Sequence, residues 1–239
     1  KRTFPYLIKI NNLSGGRGIF KVNKKSDVKI FLKKNKYANF FAENYKKSKS
    51  FNIVGLKLKN RFKFYGIFEK KINKNFSTSN IFYSKENFDK RLYLLNFCKK
   101  VLAKIKFDHG PFNFELFEDQ NKKLFIAEIE PSLIGGNVAK YLCNEASNQN
   151  IIKDYLSFYL NKNINFKTIF KKKYLSIDYF YSKQTYQNFL SNIRYYKINP
   201  QIKKINFLKY KKKGLAKYLL FSNFKNREDF NKYLNIINY

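Results

Sequence analysis

The sequence predicts an α+β fold, and three observations carry that prediction. Strand-length apolar segments follow one another across short polar tips, as in residues 51–58 and 62–68 around Lys59-Asn60-Arg61. One long stretch, residues 85–106, carries apolar residues at the helical period instead. Two further strands, 112–119 and 124–130, then meet across Gln120-Asn121-Lys122-Lys123. Strands joined by connections this short pair antiparallel, and helices set apart from them give an α+β arrangement.

The elements follow in chain order. Residues 4–10, Phe-Pro-Tyr-Leu-Ile-Lys-Ile, read as a buried strand with Lys9 at its end. The loop Asn11-Asn12-Leu13-Ser14-Gly15-Gly16-Arg17-Gly18 leads into a second strand at 19–22. A glycine-rich loop between strands can curl its backbone N–H groups around phosphate. It is not a Walker loop, since no Gly-Lys-Ser/Thr follows and a strand comes next. A mobile hairpin tip is the bland alternative. Lys9 favours phosphate, because a lysine ending a buried strand needs an anion.

Ser26-Asp27 is expected to cap a helix to about residue 35, with Val28, Phe31 and Leu32 as its stripe. Residues 40–45, Phe-Phe-Ala-Glu-Asn-Tyr, read as a strand. Ser84 can cap the helix 85–106, whose stripe is Phe88, Leu92, Leu95, Val101, Leu102 and Ile105. His109, the single histidine, has no nearby partner and reads as a loop residue. Helices are expected at 137–147 and 151–159, then a linker at 161–173. Short strands follow at 174–181, 195–198, 205–208 and 215–221, with a turn at Lys211-Lys212-Lys213-Gly214 and a closing helix at 227–236 capped near Asn226. The organisation expected is thus a domain over 1–160 and a small C-terminal subdomain over 174–239.

The chemistry concentrates in the pair 112–119 and 124–130. Alternation puts Glu128 and Glu130 on one face and Phe125, Ala127 and Ile129 on the other. A four-residue loop pairing Asp119 with Leu124 sets Glu115 opposite Glu128. Like charges directly opposite are destabilising and raise one proton affinity, and a cation relieves both. Few hard oxygen ligands suit Mg²⁺, which keeps waters and takes substrate phosphates as further ligands. A register slip of one residue would undo this pairing and leave a solvated face.

Composition narrows the partners. The 239 residues carry 44% hydrophobic residues, enough for a sizeable core. No apolar run is long enough to span a membrane. Cys98 and Cys143 have no metal-like spacing and suggest a reducing compartment or inert thiols. The absence of methionine suggests a processed or partial chain with an upstream portion missing. The net charge of +34 invites a nucleic-acid reading. Yet only six of the 50 basic residues are Arg, and the excess of Lys, Asn, Ile, Phe and Tyr follows AT-rich codons. Phosphate and base readout lean on Arg. A basic protein stacking bases on its Tyr and Phe therefore stays as the third alternative, with no specific nucleic acid and no membrane partner expected.

The motif order resembles the ATP-grasp superfamily, especially its carboxylate–amine ligases of the biotin carboxylase, carbamoyl phosphate synthetase and amino-acid ligase kind. Lys9 and the spacing to Arg17-Gly18 resemble biotin carboxylases, and Glu128-Ile129-Glu130-Pro131-Ser132-Leu133-Ile134-Gly135-Gly136 resembles the family's Glu-x-Asn-Pro-Arg-x-x-Gly-Gly. The resemblance implies two α+β subdomains gripping a nucleotide, with a small C-terminal α+β subdomain. It implies that Lys9 contacts ATP phosphates and that Ser14, Gly15, Gly16, Arg17 and Gly18 close over them. Glu43 would pass the adenine, and Glu115, Glu128 and Glu130 would hold Mg²⁺ or Mn²⁺. The implied activity is a cytoplasmic ATP-dependent ligase that makes an acyl phosphate from a small carboxylic acid for attack by an amine. Three departures weigh on turnover. Glu130 replaces the family's Asn, Ser132 replaces its Arg, for which Arg17 or a lysine would have to substitute, and the upstream domain is absent. A degenerate module that binds nucleotide without turnover is the second reading.

Overall fold

The computed structural model describes residues 3–13, 16–36, 38–135, 137–198, 200–206, 216 and 218–237. Three strands, β1 (Tyr6–Ile10), β2 (Ile19–Val22) and β3 (Phe40–Asn44), form a small antiparallel sheet in the order β2-β1-β3. Helix α1 (Lys25–Lys34) packs Phe31 against Ile8 and Val22. Asp27 caps it from inside the first turn, accepting the N–H groups of Asn23 and Lys24 at 2.9 and 3.1 Å. Leu32, expected in the buried stripe, is exposed, because Phe31 faces the sheet.

The large sheet has eight strands, all antiparallel. They are β4 (Ser48–Leu58), β5 (Arg61–Ile72), β6 (Thr78–Ser84), β7 (His109–Asp119), β8 (Leu124–Glu130), β9 (Tyr174–Phe180), β10 (Gln201–Asn206) and β11 (Tyr218–Phe224). Their order is β10-β11-β9-β6-β5-β4-β7-β8. The β4–β5 ladder shifts register between Val54 and Gly55, where a Cβ on Gly55 would meet the Phe112 ring at 2.2 Å. Strand β6 has no counterpart among the sequence expectations. Its Asn80 and Ser84 are buried like its apolar residues, so the alternation that betrays a strand is missing.

The expected helix 85–106 is two helices, α2 (Lys85–Asp89) and α3 (Leu92–Lys104). Arg91 breaks it: its guanidinium bonds Glu69 at 3.0 Å and the Asn87 carbonyl at 3.2 Å, and lies over the Phe51 ring. The break resets the helical phase. Leu94, Cys98 and Leu102 are buried, whereas Leu92 and Ile105 are exposed. Ser84 does cap, accepting the Asn87 N–H at 3.2 Å. His109 opens β7 instead of ending a loop.

The expected helix 137–147 is a π-helical turn, Val138–Cys143, running into α4 (Asn144–Ser147). Helix α5 (Ile151–Tyr159) is tied to β5 by Lys63, whose buried ammonium pairs with Asp154 at 2.6 Å while Tyr65 donates to the same carboxylate at 2.9 Å. Cys98 and Cys143 are buried free thiols, both pushed up by burial, which suits the inert alternative.

From residue 174 the chain extends the same large sheet, since β9 pairs with β6 and β11 with β9. The strand expected at 195–198 is instead the last residue of helix α6 (Lys183–Tyr195) and the turn that follows it; the helix buries Phe189 and Ile193 one turn apart. Its polar Asn, Gln and Ser residues had hidden that period. Strand β10 starts earlier than the expected 205–208, and β11 starts later than 215–221. Residues 207–215, with the expected 211–214 turn, lie outside the described residues. Helix α7 (Arg227–Ile236) has the expected bounds, and Asn226 caps it by accepting the Asp229 N–H at 2.8 Å.

Candidate functional site

The candidate site joins one face of the large sheet to Lys9 of the small sheet, whose charge reaches Glu128. Lys9 is the penultimate residue of β1, opposite Ile19 and Phe41. Its ammonium pairs with Glu43 of β3 at 2.6 Å, so in this structure the anion it needs is a protein carboxylate. Ser14 and Gly15 lie outside the described residues. Gly16 has φ +78°, and a Cβ there would stand 1.9 Å from the Phe76 carbonyl oxygen. The glycine-rich loop therefore lies backbone to backbone against the β5–β6 turn, which only glycine permits. Arg17 is exposed beside it, and the Gly18 carbonyl accepts the Ile10 N–H at 3.0 Å.

The carboxylate hairpin reaches the expected pairing by an unexpected route. Near the tip Glu118 faces Leu124, one residue out of the expected register, and Phe117 faces Phe125. A bulge then adds one residue, Ala127, and beyond it Glu115 faces Glu128 and Asn113 faces Glu130. Had the first register continued, Glu115 would face Ala127 and Glu128 would turn to the other side. The same switch corrects the face of Phe125. It shares the Glu115 face through its pairing with Phe117, and Lys46 lies 4.3 Å over its ring.

Neighbouring strands complete the face with residues that the sequence did not single out. Ser50 of β4 lies between Lys70 of β5 and Phe117 of β7. Lys70 pairs with Glu115 at 2.7 Å, and the Ser50 hydroxyl donates to the same carboxylate at 3.4 Å. The Asn52 amide donates to Asn113 at 3.3 Å, and the Asn113 amide donates to Glu130 at 3.0 Å. A signal for this chain existed. Asn52 and Asn113 interrupt apolar runs, Phe51 to Val54 and Phe112 to Phe114, where a buried amide needs partners.

The charges remain unbalanced at Glu128. Burial pushes its carboxyl up, the Glu130 and Glu115 charges push it further, and Lys70 and Lys9 pull it back. Among the described residues no group of three or more His, Cys, Asp or Glu side chains stands close enough to enclose a metal ion by itself. The donor set nevertheless fits Mg²⁺: hard oxygens, mutual repulsion at Glu128, and ligand positions left for water and phosphate.

No protein-family model matches the sequence, and no curated protein sequence matches it. Solved structures do match in shape. The N5-carboxyaminoimidazole synthetase of Staphylococcus aureus complexed with ADP superposes with a TM-score of 0.74 at 16% identity, over 98% of this chain and 61% of that one. An L-amino acid ligase from Bacillus licheniformis gives 0.68 at 14% identity, over 100% and 62%. The biotin carboxylase domain of a Hydrogenobacter thermophilus 2-oxoglutarate carboxylase, in complex with MgADP, ADP and bicarbonate, gives 0.66 at 12% identity, over 92% and 53%. The chain thus has the ATP-grasp fold that these proteins share. It spans roughly three-fifths of the length of the first two and less of the third.

Proposed function

We propose that this chain is the nucleotide- and metal-binding portion of an ATP- and Mg²⁺-dependent ligase of the carboxylate–amine type. The observation that carries this reading is the bulge at Ala127, which places Glu128 opposite Glu115 where an unbulged hairpin would separate them. Glu115, Glu128 and Glu130 would hold Mg²⁺, and bound Mg²⁺ would supply charge neutralisation at the nucleotide phosphates. The protein's own contribution is positioning. Lys9 would exchange Glu43 for phosphate oxygens, and the backbone of the loop through Gly16 and Gly18 would close over them. Arg17 would stand in for the cation that Ser132 does not provide. Asn52 and Asn113 hold Glu130 in orientation. The acid would be activated by transfer of the terminal phosphoryl group and then attacked by an amine.

Ser132 favours the second reading, nucleotide binding without turnover, because its hydroxyl is spent on the neighbouring Leu133 carbonyl and offers no charge. Calorimetric titration of ATP with and without Mg²⁺, on the chain and on Glu128→Gln, tests the site under both readings. The substitution keeps the shape and removes one charge. Binding that requires Mg²⁺ and falls at least a hundredfold in the variant is expected. Binding indifferent to Mg²⁺, or equal in the two proteins, would sink the metal assignment.

A further inference from the structure

A cavity of about 670 Å³ opens at the base of the carboxylate hairpin, away from its polar tip, and nothing in the reading above uses it. Pro131, just after β8, is the wall nearest the carboxylates. His109 forms another wall six residues before Glu115 on β7, about 20 Å along the strand, so the cavity extends away from the proposed metal site. Its sides are rings. Phe158 of α5 lies 6.1 Å from His109 between centroids, and Tyr159 stands edge-on to Phe158 at 5.1 Å and to Tyr155 at 4.8 Å. Tyr159 is thus held in place although it is 57% exposed. Phe107 adds a fourth ring, packed over Gly110, where a Cβ would meet it at 3.4 Å. Fixed rings that still face solvent, beside the flat edges of Pro111 and Pro131, suit a planar aromatic group. The rim is polar, with Asn161, Lys162 and Asn163 following one another in the segment after α5. Among the described residues, none of these three side chains has a hydrogen-bond partner in the protein, and neither have the ring nitrogens of His109.

We infer that this cavity is a second ligand site, separate from the nucleotide face, for a small planar aromatic molecule carrying an anionic group, a carboxylate or a phosphate. The ring would lie against His109, Phe158 and Tyr159. The anion would face Lys162 and take N–H groups from the Asn161 and Asn163 amides, a charge-assisted set that either oxyanion satisfies. The net charge of +34 draws any small anion weakly to this surface. What marks a built site is therefore the joint demand for a ring and a charge, since neither half alone engages both the walls and the rim. The inference does not depend on the proposed function, because no carboxylate of the hairpin lines the cavity.

The chain contains one histidine, so in protein without a histidine tag the imidazole proton resonances report this wall alone. They are followed at constant pH and physiological salt during titration with benzoate, phenyl phosphate, benzamide and acetate. Benzoate, phenyl phosphate or both should shift them saturably, with a dissociation constant of about 1 mM for so small a probe. The tighter of the two tells whether the site takes a carboxylate or a phosphate. Neutral benzamide should bind about fivefold more weakly or less, and acetate should leave the resonances in place. Lys162→Gln should bring the tighter anion to within about twofold of benzamide, and Tyr159→Ala should weaken every ring compound about tenfold. Both substitutions exchange exposed side chains, and circular dichroism verifies that each variant is folded. Glu128→Gln should leave the anion affinity within about twofold, whatever it does to ATP. No saturable shift up to about 10 mM of either aromatic anion would overturn the inference. So would an equal response to acetate, binding unchanged in both Lys162→Gln and Tyr159→Ala, or binding lost in Glu128→Gln.

Discussion

Two carboxylate clusters occupy opposite faces of the same sheet, and the adjacent residues Lys70 and Lys71 serve one each. Lys70 reaches Glu115 on the hairpin face. Lys71 pairs in register with Asn80, which pairs with Asp178, and its charge acts on that carboxylate. Asp178 is sealed under α7, accepting from Tyr233 at 2.6 Å, Ser176 at 3.0 Å and Asn80 at 3.2 Å. Neutral donors that enclose a carboxylate completely leave no room for a ligand, so that cluster fixes the docking of the C-terminal helices. On the hairpin face the largely buried Glu115 stands opposite the exposed Glu128, and the site is left short of positive charge at Glu128. A buried carboxylate whose two oxygens both accept hydrogen bonds marks structure, and a carboxylate left short of partners beside solvent marks binding.

The largest effect expected from this contrast is one of stability. Burial pushes the Asp178 carboxyl up from 3.8 to about 6, in spite of the donors around it. A raised value means that the folded chain holds the proton more tightly, so the stability this group lends is complete below pH 3.8 and is lost as pH rises through about 6. The loss is on the order of 3 kcal/mol. Urea unfolding of the chain and of Asp178→Asn from pH 4 to 7 should show this dependence in the former and its removal in the latter. Parallel profiles would break the comparison.

A smaller effect falls on binding at the other face. Gly16→Ala would introduce a Cβ at an occupied point and at φ +78°, so the loop must leave the Phe76 carbonyl. ATP affinity should fall by about ten- to thirtyfold, or roughly 1.4–2 kcal/mol, with the urea midpoint little changed. Equal ATP affinity would show that closure of the loop on the β5–β6 turn contributes nothing. Smallest is Lys9→Met. The Lys9–Glu43 pair is partly exposed, so its loss should change stability by less than about 1 kcal/mol, while ATP affinity drops about fivefold.

The difference between the faces also explains what the sequence disclosed. The hairpin was legible because its carboxylates stand among alternating apolar residues and its tip is polar, and those patterns survive a bulge. The bulge itself was not legible, since Ala127 carries no mark of an extra residue, and two compensating register changes return Glu115 to Glu128. The Asp178 face was opaque for the opposite reason. Its strands bury Asn80, Ser176, Asp178 and Ser222 beside aromatic residues, so the polar members did not signal solvent and β6 passed unnoticed. Helix α6 hid in the same way behind its polar side chains. Lys70 was lost among so many lysines, and only the register revealed that it crosses to Glu115.

The most direct measurement sets the two faces side by side: calorimetric affinity for ATP, with and without Mg²⁺, in Glu128→Gln and Asp178→Asn. The account predicts that Glu128→Gln loses Mg²⁺-dependent binding while Asp178→Asn keeps it within about twofold. Loss in Asp178→Asn with retention in Glu128→Gln, or equal affinities in both, would contradict the assignment of binding to the hairpin face.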